Sequence, residues 1–184
     1  MTDNARVLTG VTFLVGGARS GKSTLAVTFA MRQPAPVTFI ATAEGFDADM
    51  AERIAAHRRD RPSWPTIEAP IELGSTIGQV PVGHLVIVDC LTVWVANLFH
   101  HLPGPADREI RYNALVAVLG DRSDPTIIVS NEVGLGLHPE TPIGREYRDE
   151  IGRLNQRVAA LADRSLLLVA GRALRLGDPL EMLS

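Results

Sequence analysis

Cysteine is almost absent from this chain of 184 residues, which contains only Cys90. A single cysteine excludes an internal disulfide and a multi-cysteine metal site, and it is typical of a reducing compartment. No apolar run approaches the ~20 residues that a membrane-spanning helix needs. The first residues, MTDNARVLTG, lack the cationic start and apolar run of a secretory signal. We therefore expect a cytoplasmic protein.

Net charge is also small, because 18 Lys and Arg residues against 21 Asp and Glu residues leave −3 at pH 7. That balance favours neither a nucleic acid nor an anionic membrane as a partner. A hydrophobic share of 46% with 21% charged residues is ordinary for a globular protein. Without a recognisable repeat or linker, the chain is expected to form one domain over residues 1–184.

The octapeptide GGARSGKS fits the phosphate-loop pattern G-x-x-x-x-G-K-[ST]. The apolar strand 11–15 precedes it and the helical segment 24–30 follows, so backbone N–H groups and a helix N-terminus can face an anion. We expect an exposed Lys22 to reach the outer phosphates and Ser23 to ligate Mg²⁺. A glycine turn that binds nothing is the alternative, but it leaves Lys22 unexplained. The candidate nucleotide-binding residues here are Gly16, Gly17, Ala18, Arg19, Ser20, Gly21, Lys22 and Ser23.

Apolar strands alternate with helical segments along the rest of the chain, which predicts an α/β fold with a mostly parallel sheet covered on both faces. The other predicted strands are 37–41, 66–68, 85–89, 126–130 and 166–170. The other predicted helices are 47–59, 71–80, 90–99, 107–119 and 144–163. His100 to Pro105 should form a solvated loop because of its prolines and glycine. The tail after Gly171 carries little signal.

The strand 85–89 closes on the carboxylate of Asp89. A Walker B strand has this form, and its terminal Asp holds Mg²⁺ or its water beside the phosphates. The alternative is that Asp89 caps the next helix. Ligands of open α/β sheets lie beyond the carboxyl ends of strands, so the loops 42–45 and 131–139 should face the same crevice.

One histidine has two interpretations. Asp49, Arg53 and His57 fall on one side of the predicted helix 47–59. The residues alone favour a solvated Asp–Arg pair and a surface histidine near a helix C-terminus over a catalytic histidine.

Seven segments of the chain, in order, are GGARSGKS, ATA, DMAERIAAH, WPTIE, VDCLTVWVANL, SNEVGLGLHP and GREYRDEIGRLNQ. Together they resemble the bifunctional adenosylcobinamide kinase / adenosylcobinamide-phosphate guanylyltransferase family. The likeness runs from about Val11 to about Gly171, and NEVG-x-G together with DCLT-x-W is its most specific part. Asp49 and the run Leu137-His138-Pro139 depart from the usual family pattern.

This resemblance implies a RecA-like phosphate-loop fold, a homotrimer, and a late step of cobalamin assembly and salvage. Family members phosphorylate adenosylcobinamide with ATP or GTP, and then transfer GMP from GTP onto that phosphate with release of pyrophosphate. The transfer passes through a guanylylated histidine, and His57 stands at the matching position. Glu68 is suited to accept two hydrogen bonds from guanine. The implied nucleotide contacts beyond the phosphate loop are Ala41, Thr42, Ala43, Arg58, Arg59, Asp60, Arg61, Glu68 and Asp89.

Two alternatives from other classes stay open at this point. One is a small-molecule kinase without transferase activity, in which His57 would be a surface residue. The other is a regulatory nucleotide switch, although the sequence lacks the N-K-x-D motif with which switch GTPases read guanine.

Overall fold

The computed structural model describes residues 8–45, 52, 55, 58, 59 and 61–183. Seven strands and five α-helices are found in this part of the chain, and they confirm the predicted α/β fold with a mostly parallel sheet. The strands are β1 (Val11–Gly16), β2 (Val37–Ala41), β3 (Thr66–Glu68), β4 (Leu85–Asp89), β5 (Thr126–Val129), β6 (Arg164–Val169) and β7 (Arg172–Leu176). The helices are α1 (Lys22–Met31), α2 (Leu73–Gln79), α3 (Leu91–His101), α4 (Pro105–Asp121) and α5 (Pro142–Leu161).

The sheet order is β3-β2-β4-β5-β1-β6-β7, and every neighbouring pair is parallel except β6 with β7. Side chains alternate between the two faces of a strand. On β4, Val86 and Val88 therefore join the core formed with helices α2 to α5, whereas Leu85 and Ile87 join the core formed with α1. Because both faces are covered, the central strands are continuous apolar runs.

This order places the carboxyl ends of β2, β4, β5 and β1 side by side. The loops that follow these strands therefore meet at one edge of the sheet, as expected for ligand sites in open α/β sheets. The phosphate-loop sequence follows β1, and Asp89 ends β4.

Two predictions for local structure were wrong, and one segment without a prediction forms a strand. His100 and His101 are not in a loop, because α3 continues through them and ends just before Pro103. Helix α4 begins at Pro105, since a proline is accommodated in the first turn of a helix. The tail after Gly171 forms β7, an exposed edge strand antiparallel to β6. Most of the predicted helix 47–59 lies outside the described residues. The four positions of this segment that are described, Glu52, Ala55, Arg58 and Arg59, are helical.

Candidate functional site

The phosphate loop leaves β1 through Gly16, where a side chain has no room. A Cβ on Gly16 would lie 2.3 Å from the carbonyl oxygen of Leu168 on β6. Gly21 has φ 98° and immediately precedes α1, which has no side-chain cap and no acidic residue in its first turn. The first N–H groups of a helix have no partner within that helix. The amides of this turn therefore form a donor set suited to a phosphate.

Lys22 is the first residue of α1, and it is buried rather than exposed as the sequence led us to expect. The residue is only 6% exposed. The ammonium donates to the carbonyl oxygens of Gly16 and Gly17, at 3.0 and 2.6 Å, and to Ser20 Oγ at 3.3 Å. Burial lowers the pKa of Lys22, while nearby Cys90 and Asp89 oppose that shift. The loop thus holds a positive charge inside its own turn.

Asp89 lies across the crevice from the phosphate loop. Helix α3 has Cys90 as its N-cap residue, so the alternative that Asp89 caps this helix is wrong. Burial lowers the pKa of Lys22 and of Arg61, and the negative charge of the nearby Asp89 carboxylate opposes both shifts. Asp89 therefore balances positive charge on two sides of the crevice.

Ser23 and Asp89 supply the hard oxygen donors that Mg²⁺ prefers. Both residues line the same cleft. No group of three or more His, Cys, Asp or Glu residues suited to a metal ion occurs within residues 8–45 and 61–183 or at the four described positions between them. Mg²⁺ usually keeps several waters and shares nucleotide phosphates with one or two protein side chains, a role that the oxygens of Ser23 and Asp89 fit.

One cleft of about 840 Å³ unites these groups with a rim built by β2, β3 and the residues around them. The lining residues that the sequence had indicated are Ala18, Arg19, Ser20, Gly21, Lys22, Ser23, Ala41, Ala43, Arg58, Arg61, Glu68 and Asp89. Glu44, Gly45 and Asn131 also line the cleft, as expected for the loops 42–45 and 131–139. The lining residues that the sequence had not indicated are Thr24, Phe39, Pro70, Cys90, Val93 and Val129. His57 and Asp60 lie outside the described residues.

The rim of the cleft carries charged side chains that are open to solvent. Arg58 Nη2 and Glu68 Oε1 are 2.6 Å apart, and the two side chains are 52% and 66% exposed. The Arg61 guanidinium lies 3.8 Å above the Phe39 ring and donates to Thr66 Oγ1. Burial, followed by the like charge of Arg58, lowers the pKa of Arg61. The exposed residue Arg59 does not line the cleft.

Thr42 lies behind the rim and is fully buried. Its Oγ1 donates to the carbonyl oxygen of Cys90 and accepts from the Cys90 N–H. Its carbonyl oxygen accepts from Asn97 Nδ2, which also donates to the carbonyl oxygen of Pro70. The hydroxyl and carbonyl oxygen of Thr42 are bonded to other protein groups. Thr42 would therefore affect a bound nucleotide only indirectly, by positioning residues such as Cys90.

Residues 12–176 match the family described as cobinamide kinase / cobinamide phosphate guanyltransferase. The chain belongs to this family. The bifunctional adenosylcobalamin biosynthesis protein CobP of Pseudomonas aeruginosa is 41% identical over 170 residues, which cover 91% of this chain and 98% of that protein. The CobU protein of Salmonella typhimurium is 36% identical over 86% of this chain and 94% of its own length. Family membership favours an enzyme over a regulatory switch.

Solved structures with much lower identity share the fold. The Pyrococcus horikoshii protein PH0250 aligns with a TM-score of 0.57 at 8% identity, over 90% of this chain and 85% of its own. The type III secretion ATPase EscN of enteropathogenic E. coli aligns with a TM-score of 0.56 at 12% identity, over 88% of this chain and 43% of its own. These structures support the predicted phosphate-loop NTPase fold. No helix among the described residues is long and apolar enough to span a membrane.

Proposed function

We propose that this protein phosphorylates adenosylcobinamide and then converts the product to adenosylcobinamide-GDP with GMP taken from GTP. The observation that carries the proposal is one cleft that joins the phosphate loop to a charged rim suited to a base, in a chain of this family. Both reactions would use one domain in the cytoplasm.

In the kinase step, the aminopropanol hydroxyl of adenosylcobinamide attacks the γ-phosphorus of ATP or GTP, and the bond to the β-phosphate oxygen breaks. Phosphoryl transfer depends mainly on positioning and on charge neutralisation. Lys22 and the first amides of α1 would stabilise negative charge on the outer phosphates. Ser23 and Asp89 would hold Mg²⁺, which supplies further neutralising charge.

In the transfer step, a His57 ring nitrogen attacks the α-phosphorus of GTP, and the bond to the β-phosphate oxygen breaks to release pyrophosphate. A phosphate oxygen of adenosylcobinamide phosphate then attacks the same phosphorus and breaks the P–N bond. Neutral imidazole suits both the formation and the breakage of the P–N bond, since it is nucleophilic near pH 7 and leaves readily from a phosphoramidate. Arg53 would disfavour the imidazolium form through its like charge.

Glu68 would select guanine at the rim of the cleft. A carboxylate can accept hydrogen bonds from both the ring N–H and the exocyclic amine of guanine, a pair that adenine lacks. Arg58 already contacts one oxygen of this carboxylate and leaves the group exposed. Arg58 would therefore orient Glu68 toward the base.

We also propose a homotrimer, as the family resemblance implies. Several apolar side chains near the C-terminus, including Leu174, Leu180 and Met182, are exposed in the single chain. Static light scattering of the purified protein would give the subunit count.

The experiment that tests the proposed function follows GMP onto the protein. Incubation with α-labelled GTP should give an acid-labile, base-stable adduct, and mass spectrometry should place it on His57. His57→Ala should abolish the adduct while the kinase step survives. His84, His100, His101 and His138 are internal controls. GMP on one of those residues, or retained by His57→Ala, would refute the assignment, and no adduct at all would favour the kinase-only alternative.

A further inference from the structure

Asn131 occupies a central position at the carboxyl edge of the sheet. It is the second residue after β5, whose two neighbours in the sheet are β1 and β4. It therefore lies between the strand that leads into the phosphate loop and the strand that ends at Asp89. Asn131 lines the cleft together with Lys22 and Asp89.

The main chain of Asn131 is held from two helices. Its N–H donates to Thr92 Oγ1 on α3 at 2.8 Å, and its carbonyl oxygen accepts from Asn155 Nδ2 on α5 at 3.0 Å. Asn155 is 5% exposed and accepts from Ser130 Oγ through its Oδ1. The next N–H, that of Glu132, donates to the carbonyl oxygen of Gly16. Such supporting bonds fix a functional group before a ligand arrives.

The side chain of Asn131 takes no part in these supporting hydrogen bonds. Within residues 8–45 and 61–183 the bonds that fix Asn131 all involve its backbone, and the residue is partly exposed in the cleft. A carboxamide offers two N–H donors and no charge. It can donate to a phosphate oxygen without the repulsion that a carboxylate would add.

The sheet order indicates which phosphate lies beside Asn131. Glu68, the proposed base contact, is on the edge strand β3, and β5 is three strands away, roughly 14 Å at the usual strand spacing. A nucleotide that runs from this rim to the phosphate loop brings its last phosphate to β5 and β1. We propose that the Asn131 carboxamide donates a hydrogen bond to the terminal phosphate of the bound nucleoside triphosphate. This inference rests on the proposed function for the orientation of the nucleotide.

The test compares two ligands that differ by one phosphate. α,β-Methylene-GTP and α,β-methylene-GDP cannot lose GMP to the protein, so their dissociation constants are measurable with Mg²⁺ and without corrinoid. Asn131→Ala should bind the diphosphate like the wild type and lose about 10- to 100-fold in affinity for the triphosphate, as expected when one hydrogen bond to a charged group is removed. Asn131→Asp should lose at least as much, because a carboxylate repels phosphate.

Two further variants distinguish a direct contact of the Asn131 side chain with phosphate from an effect of the bonds that hold its backbone. Asn113→Ala removes the same chemical group from the outer surface of α4, where Asn113 accepts from Arg157, and should change neither constant. Thr92→Val removes the acceptor of the Asn131 N–H and should give a smaller loss of triphosphate affinity.

An unchanged ratio of the two constants in Asn131→Ala would overturn the inference, as would equal affinity of the wild type for the two ligands. Failure of the wild type to phosphorylate adenosylcobinamide would contradict the proposed function. It would not change the ratio of the dissociation constants for the triphosphate and the diphosphate. A merely unstable variant would lose both ligands together, which also contradicts a specific contact with the terminal phosphate.

Discussion

The two ends of the cleft are built differently. At the phosphate end, Lys22 is 6% exposed and is bonded within its own loop, and buried residues of α3 and α5 hold the neighbouring backbone. At the rim, Arg58 and Glu68 are more than half exposed and contact each other across 2.6 Å. Donors at the phosphate end are therefore fixed in advance, whereas the rim offers charged groups that can rearrange.

This difference suggests a division of labour. Stabilising the charge of a reacting phosphoryl group requires preorganised donors in a site with little water. Choosing between bases requires a few polar groups that are left unpaired when the wrong base binds. Substitutions at the buried end should therefore reduce turnover strongly, and substitutions at the rim should change the choice of nucleotide.

The largest effect is expected for Lys22→Ala. Both half-reactions should fall at least about 10²-fold, because a donor aimed at developing negative charge is lost. Arg32→Ala, which removes an exposed cation just after α1, is the matched control and should retain activity. Turnover assays and thermal melting would decide, and wild-type turnover by a folded Lys22→Ala protein would contradict the role of the phosphate loop.

Asp89→Asn should have the next largest effect, about 10- to 100-fold on turnover at low Mg²⁺. The substitution keeps the shape of the side chain and removes the charge that attracts the ion. Binding of nucleotide without metal should change far less. A titration of rate against Mg²⁺ measures this, with Asp121→Asn at the end of α4 as the control. An unchanged Mg²⁺ dependence would show that Asp89 holds no metal.

Glu68→Gln should alter nucleotide choice more than turnover. ITP lacks the exocyclic amine of guanine, so the wild type should prefer GTP to ITP. In the variant, the ratio of activity with GTP to activity with ITP should fall about tenfold. The control is Glu72→Gln, since Glu72 is exposed and pairs with Arg111 away from the cleft. If Glu68→Gln keeps the full preference for GTP, another group reads the base.

The smallest effect is expected for His101→Ala. His101 Nε2 lies 2.8 Å from Glu44 Oε2, so it ties the end of α3 to a loop at the rim. Exposed pairs of this kind contribute up to about 1 kcal/mol. GTP affinity should therefore change by less than about fivefold, measured by titration against the wild type. A larger loss would mean that the rim is as fixed as the phosphate end.

The phosphate end was largely predictable from the sequence, because its groups follow one another along a short motif. GGARSGKS lies between a strand and a helix, and Asp89 closes an apolar strand, so local pattern and strand order bring them together. The burial of Lys22 was not predictable, since it depends on carbonyl oxygens of the folded turn.

The rim and the supporting bonds were less accessible to sequence reasoning. Arg61 with Phe39, and Asn131 with Thr92 and Asn155, are pairs separated by many residues that only the fold brings together. The family resemblance indicated Arg58, Arg61 and Glu68, which all line the cleft. For Asn131 the sequence indicated a place at the crevice, through the loop 131–139 and the NEVG-x-G segment, but not the bonds that hold its backbone.

The most direct test of the account is to follow corrinoid products in one reaction that contains adenosylcobinamide, ATP, GTP and Mg²⁺. The wild type should form adenosylcobinamide phosphate and then adenosylcobinamide-GDP, with one pyrophosphate per guanylyl transfer. His57→Ala should stop at the phosphate, and Lys22→Ala should leave adenosylcobinamide unchanged. Adenosylcobinamide-GDP formed by His57→Ala, or no corrinoid product with the wild type, would contradict the account.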